Sequence, residues 1–383
     1  MHHFDQLAPD TLDRLFVHAP TFVPQSGRKL GAFLGAALYL PSAKRDLTHA
    51  LVAQRSRGVV AMVLDLEDGV ADGDVAEAQD RLASALREVD RDRLNTPRLF
   101  VRVRAHEQIA SIIREAGTAA DRIAGFVLPK FEGPLGEQML QSVVDVNDRW
   151  GLDLTAMPVL EGGSLSRAET RLDTLLEAAR IVSRHAHVVT AVRIGATDIA
   201  GTFGLRRGPD LTVYDLTVVR DAIADIVNVF SRPESDVPVI SGCVWEYFSP
   251  SNRVLRPTLR ATPFGTAHAR WLRQQLMAED ADALIHEVVL DKANGLTGKT
   301  VIHPSHTTVV HALSSVTYEE ARDARDILSE DGGGAQASTF RNKMNEPGPH
   351  RRWAERIAER GDAFGVLAEE FTFADLLDAQ ASV

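Results

Sequence analysis

Cysteine is almost absent from this sequence of 383 residues, and its scarcity limits the chemistry that the chain can carry. With Cys243 as the only thiol, the chain can form neither an intrachain disulfide nor a zinc site built from several cysteines. A chain of this length does not depend on such cross-links, because it can bury a large hydrophobic core. We therefore expect a globular protein of a reducing, cytoplasmic compartment.

Long apolar runs and basic tracts are also missing. No run of eighteen apolar residues occurs, and the first residues hold several aspartates, so we expect a soluble protein with no membrane contact. The formal net charge is -11 and the lysines and arginines are scattered, which argues against a nucleic-acid partner. The thirteen histidines include no HExxH motif, which argues against a catalytic zinc.

Apolar, strand-like runs alternate with amphipathic, helix-like runs along most of the chain. Eight strands are predicted, at residues 35–40, 59–66, 99–103, 124–128, 155–160, 188–194, 237–240 and 300–302. Amphipathic helices are predicted between them, at residues 47–57, 75–89, 108–120, 135–150, 167–184, 216–230 and 266–293. This pattern predicts an α/β fold of the (β/α)8 TIM-barrel class, and a doubly wound open sheet is the alternative.

Three parts of the chain are predicted. Residues 1–30 form an N-terminal accessory segment, residues 31–315 the barrel, and residues 316–383 a C-terminal helical tail or lid. An arginine-rich insertion at 245–263 follows the seventh predicted strand, where insertions commonly shape a substrate mouth. The glycine run at 331–334 predicts a flexible joint within the tail.

Charged residues follow the predicted strands, and the carboxyl ends of the strands form the active-site end of a TIM barrel. Asp198 comes just after the apolar run 188–194, and Glu161 directly follows the preceding predicted strand. Two neighbouring strands therefore present two carboxylates at one end of the barrel. The other charged residues at predicted strand ends are Glu67, Asp68, Arg102, Arg104, Lys130 and His303.

Glu161 and Asp198 predict a magnesium site. Mg²⁺ takes only one or two carboxylates from a protein and fills its octahedron with waters and substrate oxygens. Such an ion polarises a carbonyl and stabilises an enolate. The alternative is that each carboxylate caps the helix that follows its strand.

Arg102 and Arg104 alternate with valines and therefore share one face of their predicted strand. An unpaired guanidinium is rare inside a barrel, so one or both should meet a carboxylate. That partner is either Glu67 or Asp68, or the carboxylate of a substrate, which arginine binds well through two parallel hydrogen bonds.

Lys130 directly follows its predicted strand. It is predicted either to pair with Glu132 or Glu161 or to help bind substrate. Further substrate contacts are predicted where the strand before Asp198 ends, at Gly195, Ala196 and Thr197.

The glycine-containing stretch 201–208 carries two adjacent arginines, Arg206 and Arg207. Its backbone amides and these side chains would suit the phosphate of a phosphorylated metabolite. The alternative is a tight loop whose arginines are solvated.

Several motifs occur in a fixed order along the chain. They are Pro41 after an apolar strand, LDLEDGV at 64–70, VRVR at 101–104, VLPKFE at 127–132, PVLEGG at 158–163, RIGATDIAGTFG at 193–204 and GKTVIHPSH at 298–306. The ordered set resembles the citrate lyase β-subunit-like family, the HpcH/HpaI aldolase and citrate lyase group of carbon–carbon lyases. The tail sequence NKMNEPGPHRRWA at 342–354 resembles a branch of that family found in bacterial tellurium-resistance and stress-response gene groups.

The resemblance implies a TIM barrel in which Glu161 and Asp198 hold Mg²⁺ and Arg102 binds the substrate carboxylate. It also implies that Glu67 and Asp68 support the arginine and the metal-bound water. Family members usually form trimers or hexamers, so a homo-oligomer is expected.

In the CoA-ester lyases of that family, a C-terminal segment ending in a Met-x-Asp unit folds over a barrel, often a neighbouring subunit's, and supplies an acid or base. The matching unit here is Met344-Asn345-Glu346, which makes Glu346 the candidate for that role in its own or a neighbouring subunit. Glutamate in place of aspartate, and an altered sequence after the seventh predicted strand, leave the use of CoA open.

These observations predict a Mg²⁺-dependent lyase that breaks or makes a carbon–carbon bond beside a carbonyl, by an aldol or Claisen route. Its expected substrate is a small 2-hydroxy or keto acid with a free carboxylate, either as such or as a CoA ester. One alternative is a class II pyruvate-type aldolase that acts on a free keto acid or sugar acid. The other is a catalytically idle barrel that binds metabolites without turnover.

Overall fold

Eight parallel strands close into a barrel in the computed structural model of the chain. After a short strand β1 (Phe16–His18), the barrel strands are β2 (Ala36–Pro41), β3 (Ala61–Asp65), β4 (Arg98–Arg102), β5 (Ile123–Leu128), β6 (Thr155–Leu160), β7 (Val192–Ile194), β8 (Ile240–Trp245) and β9 (Lys299–Val301). Each strand pairs with the next, and β9 pairs with β2 to close the ring. The predicted TIM barrel is therefore confirmed. The structure describes residues 2–20, 27–54, 57–89, 97–232, 239–248, 281–329 and 334–381.

Helices precede, connect and follow these strands. Those up to the end of the barrel are α1 (Pro9–Leu15), α2 (Gly27–Leu34), α3 (Leu47–Ala53), α4 (Val75–Glu88), α5 (His106–Ala116), α6 (Gly133–Trp150), α7 (Gly163–Ser166), α8 (Ala168–Arg184), α9 (Ala196–Thr202), α10 (Thr217–Phe230), α11 (Ala281–Ala293) and α12 (Pro304–Ser314). The tail contains α13 (Tyr318–Ser329), β10 (Gln336–Ala337), β11 (Met344–Asn345), α14 (Pro347–Phe364), β12 (Val366–Leu367) and α15 (Phe373–Ala381). Short 3₁₀ turns lie at Asp72–Asp74, Gly117–Arg122 and Val213–Asp215.

The two-residue period of a strand divides the core into two layers. Along β3, Ala61 and Val63 pack inside the barrel with Phe100 of β4, whereas Met62 and Leu64 belong to the layer between the strands and the helices. Because both faces of these strands are covered, they are apolar almost throughout. This uniform apolarity is what makes the strands recognisable in the sequence.

Strand β8 is where the predicted and observed strands differ most. It runs to Trp245, whereas the prediction ended it at residue 240, before Ser241-Gly242. Gly242 lies inside the strand because a side chain there would come within 2.7 Å of the Asp291 carboxylate and of the Gly298 carbonyl. Cys243 is consequently buried in the middle of β8, and burial raises the pKa of its thiol to about 12. It is therefore not a nucleophile at neutral pH.

Several predicted features fall outside the described residues. They are most of the insertion at 245–263, the first part of the helix at 266–293, and most of the joint at 331–334. Helix α14 ends before Gly365, whose φ is 79°, and β12 separates it from α15. The division into residues 1–30, 31–315 and 316–383 stays a prediction. No helix among the described residues is long and apolar enough to cross a membrane.

The N-terminal segment packs against the C-terminal tail. β1 pairs antiparallel with β12, and nearby the His3 ring stacks on Phe364 with a centroid distance of 4.2 Å. His3 Nε2 lies 2.6 Å from the Phe33 carbonyl oxygen, and His311 Nε2 accepts from the Ala36 amide at 3.2 Å. The centroids of the two imidazole rings are 4.3 Å apart, and both rings are buried. These contacts hold the N-terminal segment and the C-terminal tail against the start of β2.

These buried histidines predict that the fold weakens in mild acid. Burial lowers the pKa of His3 to about 3, and burial together with His3 lowers the pKa of His311 well below its usual value. In the unfolded chain both rings take up protons near pH 6.5, so the stability they contribute is present above that pH and is lost as pH falls toward 3. Each ring should lower the free energy of unfolding by up to about 1.4 kcal/mol for each pH unit below 6.5.

Urea unfolding of the wild type and of His3→Phe at pH 7.5, 6 and 5 measures this effect. The phenylalanine keeps the stacking but cannot titrate, so the variant should lose less stability on acidification than the wild type. Parallel losses in the two proteins would show that His3 does not carry the effect.

Candidate active site

The inward-pointing residues at the carboxyl ends of β3, β4 and β6 are charged. Asp65, Arg102 and Glu161 each lie two positions after a side chain that packs inside the barrel. The strand period therefore directs all three toward the barrel axis. Asp65 and Arg102 are also paired directly across β3 and β4.

Asp65 and Arg102 form a buried pair through two parallel hydrogen bonds. Arg102 Nε donates to Asp65 Oδ1 and Nη2 donates to Oδ2, both at 2.7 Å. The same carboxylate accepts from the backbone amides of Glu67 and Gly69 at 2.9 Å. Asp65 thus orients the guanidinium and also shapes the loop after β3. The prediction for Arg102 named Glu67 or Asp68 and missed Asp65. The position of Asp65, two residues after the inward-pointing Val63, could have indicated it.

Glu67 and Asp68 also approach Arg102. Nη1 of Arg102 lies 3.0 Å from Glu67 Oε2 and 3.6 Å from Asp68 Oδ2. Lys130 Nζ forms an ion pair with Glu67 and lies 3.6 Å from Asp68 Oδ1. Burial and the hydrogen bond with Asp68 raise the pKa of Glu67, whereas the bond to Glu67 and the two cations lower the pKa of Asp68. Two neighbouring carboxyls whose pKa values are shifted in opposite directions can be in different protonation states at the same pH.

Glu161 and Asp198 lie close together at the ends of β6 and β7. Glu161 Oε1 accepts from the Lys130 amide at 3.0 Å, and its side chain is buried. Burial and the charge of Asp198 raise the pKa of Glu161 to about 8, and burial also raises the pKa of Asp198. Within the described part of the chain, no salt bridge involves either carboxylate. The two groups form an uncompensated acidic pair.

A glycine makes room for the Glu161 carboxylate. A side chain at position 195 would collide with Glu161 Oε2, so Gly195 allows the carboxylate to lie against the backbone at the start of α9. Thr197 donates to Glu246 Oε1 at 3.3 Å, and Ala196 is buried. The predicted substrate contacts of these three residues stay predictions.

The charges at this end of the barrel do not balance. Arg193 lies deeper in the barrel, where its Nη2 donates to Thr300 Oγ1 at 2.6 Å and its Nε has no hydrogen-bond partner among the described residues. Arg193 and Arg102 both approach the Tyr39 ring, at 5.7 and 5.4 Å from its centroid. Five carboxylates thus face three cations: Asp65, Glu67, Asp68, Glu161 and Asp198 against Arg102, Lys130 and Arg193.

With all five carboxylates ionised, the two excess negative charges match one divalent cation, whose binding would keep Glu161 ionised despite its raised pKa. No group of three or more His, Cys, Asp or Glu side chains in the described ranges is arranged to hold a metal. An ion at Glu161 and Asp198 would therefore take two carboxylates from the protein and the rest of its ligands from water or substrate. Mg²⁺ accepts such a ligand set, so these residues fit it.

A family comparison now identifies the barrel. A family model of carbon–carbon bond lyases of the TIM-barrel fold matches residues 28–366. The chain belongs to this family. The citrate lyase β-like family predicted from the motifs is confirmed, whereas the tellurium-resistance branch, the cytoplasmic location and the oligomeric state stay predictions.

Similar proteins include both lyases and solved barrels. Mitochondrial citramalyl-CoA lyase of Rattus norvegicus is 24% identical over 306 residues, which are 77% of this chain and 75% of that protein. A citrate lyase from Burkholderia xenovorans has a TM-score of 0.62 at 17% identity, covering 90% of this chain and 96% of that one. The protein CitE from Mycobacterium tuberculosis, solved with magnesium, acetoacetate and coenzyme A, has a TM-score of 0.53 at 20% identity, covering 86% and 99%. These structural likenesses show the shared fold.

Arg104 holds the loop after β3 in this lyase barrel. Its Nε donates to the Leu66 carbonyl and its Nη2 to the Glu67 carbonyl, both at 2.8 Å, and its Nη1 pairs with Asp72. All three side-chain nitrogens are therefore engaged within the loop that carries Glu67. A substrate contact by Arg104 stays a prediction.

Arg207 is neither a phosphate ligand nor a solvated arginine, and both interpretations of the stretch 201–208 were wrong for it. It is buried, where it pairs with Glu287 and with Glu246 Oε2 at 3.2 Å and donates to the Val244 carbonyl at 2.5 Å. Lys299 Nζ extends this network, at 2.7 Å from Glu287 Oε1. Only the fold brings these groups together, since Glu287 lies 80 positions from Arg207.

Glu346 and His303 lie apart from the charged cluster in the contacts of this chain. Glu346 precedes α14, where its amide donates to His350 Nδ1 at 3.0 Å. The residues before it contact α13, through Asn345 to Asp323 at 2.9 Å. His303 is partly buried and caps α12 by accepting from the Ser305 amide at 3.3 Å. The predicted acid–base role of Glu346 stays a prediction.

The Asp65–Arg102 pair predicts a large difference between two similar substitutions. Asp65→Asn leaves the buried guanidinium without its counter-charge, and the free energy of unfolding should fall by about 3 kcal/mol or more. Asp72→Asn removes the exposed partner of Arg104 and should leave stability close to that of the wild type. Urea unfolding at pH 7, followed by circular dichroism, compares the two, and equal losses would contradict the central role of Asp65.

Proposed function

We propose that this protein is a Mg²⁺-dependent lyase that cleaves a carbon–carbon bond in a 2-hydroxy or keto acid bearing a free carboxylate. The observation that carries this proposal is the acidic pair of Glu161 and Asp198, which has no salt-bridge partner in the described ranges and lies beside Arg102. Membership of the carbon–carbon bond lyase family supports the reaction class.

Glu161 and Asp198 would hold the ion through their carboxylate oxygens. When bound, Mg²⁺ would polarise the substrate carbonyl and stabilise the negative charge that develops on its oxygen as the bond breaks. Burial and the charge of Asp198 raise the pKa of Glu161, and burial and the charge of Asp68 raise the pKa of Asp198. A divalent cation would offset these effects. The magnesium in the CitE structure is consistent with this assignment.

Arg102 would bind the substrate carboxylate. Asp65 accepts hydrogen bonds from Nε and Nη2, and Nη1 lies beside Glu67 and Asp68. The N–H groups that Asp65 does not occupy, on Nη1 and Nη2, would hold a carboxylate while Asp65 keeps the guanidinium in place. Substrate binding then needs little rearrangement, which favours a reactive orientation.

Two residues of this chain are candidates for proton transfer. Cleavage next to an alcohol requires removal of the hydroxyl proton and protonation of the carbon that is released. Glu67 lies beside Arg102 with a raised pKa, and Lys130 stabilises its charged form, so it can both hold and release a proton. Glu346 is the second candidate, by its match to the family's tail motif.

A CoA ester is one form of substrate that we propose to test. The relative named citramalyl-CoA lyase and the coenzyme A in the CitE structure favour a thioester. The cluster at Arg102 is equally suited to a free keto acid, because it recognises the carboxylate. The donor that exchanges deuterium therefore has to show whether the substrate is a CoA ester or a free acid.

Deuterium exchange tests the proposed chemistry. In D₂O with Mg²⁺, we expect proton NMR to show deuterium entering one of three donors: pyruvate, acetyl-CoA or propionyl-CoA. Exchange should stop when Mg²⁺ is removed and should fall roughly 100-fold or more in Glu161→Gln, because the developing charge loses its stabilisation. Glu67→Gln and Glu346→Gln then identify the residue that moves the proton.

Glu169→Gln is a matched control, because that glutamate lies in the first turn of α8 and outside the cluster. It should exchange deuterium at the wild-type rate. Exchange that persists without Mg²⁺, or in Glu161→Gln, would contradict the metal-assisted mechanism. Mg²⁺ binding without exchange in any donor would favour the idle barrel.

Gly195→Ala provides a test that does not depend on turnover. The added methyl group would displace the Glu161 carboxylate, and Mg²⁺ affinity measured by calorimetry should fall about 10- to 100-fold. Gly163→Ala is the control, since a side chain there would meet no atom within 4 Å. Equal affinities in the two variants would show that Glu161 does not hold the ion.

A further inference from the structure

A cavity lies at the opposite end of the barrel from the candidate active site. It has a volume of about 490 Å³ and separates α14 from the amino ends of β8 and β9. Ile240, which begins β8, and Gly298, which precedes β9, line one side, and Trp353 of α14 lines the other. The active sites of TIM barrels lie at the carboxyl ends of the strands, so this cavity is a separate feature.

The charged side chains of this cavity are mostly positive. Among the described residues, its cations are Arg232, Lys292, Arg352, Arg356 and Arg360, and its carboxylates are Glu320 and Glu359. The excess of three positive charges in this described lining contrasts with the net charge of -11 for the whole chain. A concave surface with charge opposite to that of the rest of the molecule concentrates anions.

Two of these cations are incompletely compensated among the described residues. Arg360 has an N–H group without an acceptor, and Lys292 lies where its charged form is disfavoured. Arg360 Nη2 donates to both oxygens of Glu320, at 3.0 and 2.9 Å, but its buried Nε has no hydrogen-bond partner within the described residues. Lys292 Nζ donates to the Leu313 carbonyl at 2.8 Å. Burial and the nearby charge of Arg360 lower the pKa of Lys292 to about 8. An oxyanion bound beside Lys292 would supply a counter-charge to its ammonium group.

Two further cations lie against backbone groups. Arg352 donates from Nη1 to the Ser231 carbonyl at 3.0 Å, which ties α14 to the end of α10. Arg356 Nη1 lies 3.0 Å from where a side chain at position 295 would begin, so Gly295 lets the guanidinium approach the backbone. Gly295 also adopts a φ of 83°, which other residues rarely tolerate. The cationic wall is therefore formed in advance of any ligand.

We propose that this cavity binds a phosphate-bearing metabolite of about nucleotide size. Guanidinium groups match phosphate oxygens in geometry and charge, and the cavity volume lies within the usual range for small-molecule sites. The Trp353 side chain is 38% exposed at the cavity and offers a flat surface on which a base can stack. The site is independent of the proposed lyase reaction, because it shares no residue with the charged cluster around Arg102.

Calorimetric titration of the full chain with ADP and with inorganic pyrophosphate, in EDTA to exclude Mg²⁺, tests the proposal. We expect both to bind, and both affinities to fall as salt is added. Arg356→Gln should weaken both about 10-fold or more. Trp353→Ala should weaken ADP, which can stack, and leave pyrophosphate unchanged.

Arg351→Gln is the matched control, because Arg351 lies on the same helix, is not part of the cavity lining and pairs with Glu355. It should bind both probes like the wild type. Arg232→Gln provides a second cavity variant if Arg356→Gln does not fold, which thermal denaturation will reveal. It should also weaken both probes.

Three results would overturn the proposal. In the first, neither probe binds at millimolar concentration. In the second, the cavity variants bind both probes as tightly as the wild type does. In the third, binding is lost in Glu161→Gln and kept in Arg356→Gln, which would place the phosphate at the other end of the barrel. Since none of these assays depends on turnover, failure of the lyase reaction would leave this test intact.

Discussion

The buried pair between Asp65 and Arg102 is the interaction on which the rest of the site depends. Removing two charges from water is costly, so such a pair contributes little net stability and is better explained by the geometry that it fixes. From Asp65, a series of contacts passes through Arg102 to Glu67, and through Lys130 to Glu161. One aspartate at the end of a strand thereby sets the positions of the groups proposed to bind the substrate and the metal.

Much of this architecture follows from local pattern. The strands are covered on both faces, so their apolar runs stand out in the sequence, and the helices between them show a clear helical period. Once the runs are taken as a barrel, the residues after each run converge at one end. Glu161, Asp198 and Arg102 could therefore be grouped from the sequence, although they lie at or just beyond the ends of three different strands.

The features that sequence reasoning missed depend on contacts between distant segments. Asp65 belongs to an otherwise apolar strand, and its importance appears only when β4 places Arg102 beside it. Ser241-Gly242 has the local character of a turn, but close packing against Asp291 explains a glycine within the strand. The burial of Arg207 could not be foreseen, because its partner Glu287 lies on a helix far along the chain. Local propensity is overridden at such sites by packing.

The contacts of Arg207 bear on how this barrel can diversify. Glu246 and Glu287 stand on either side of residues 249–280 in the chain, and both pair with the same guanidinium. The Arg207 guanidinium thus ties the end of β8 to helix α11. Loss of the arginine would remove a shared counter-charge from both carboxylates, so a change at one of these three positions constrains the other two. Positions that are far apart along the chain are therefore bound to vary together.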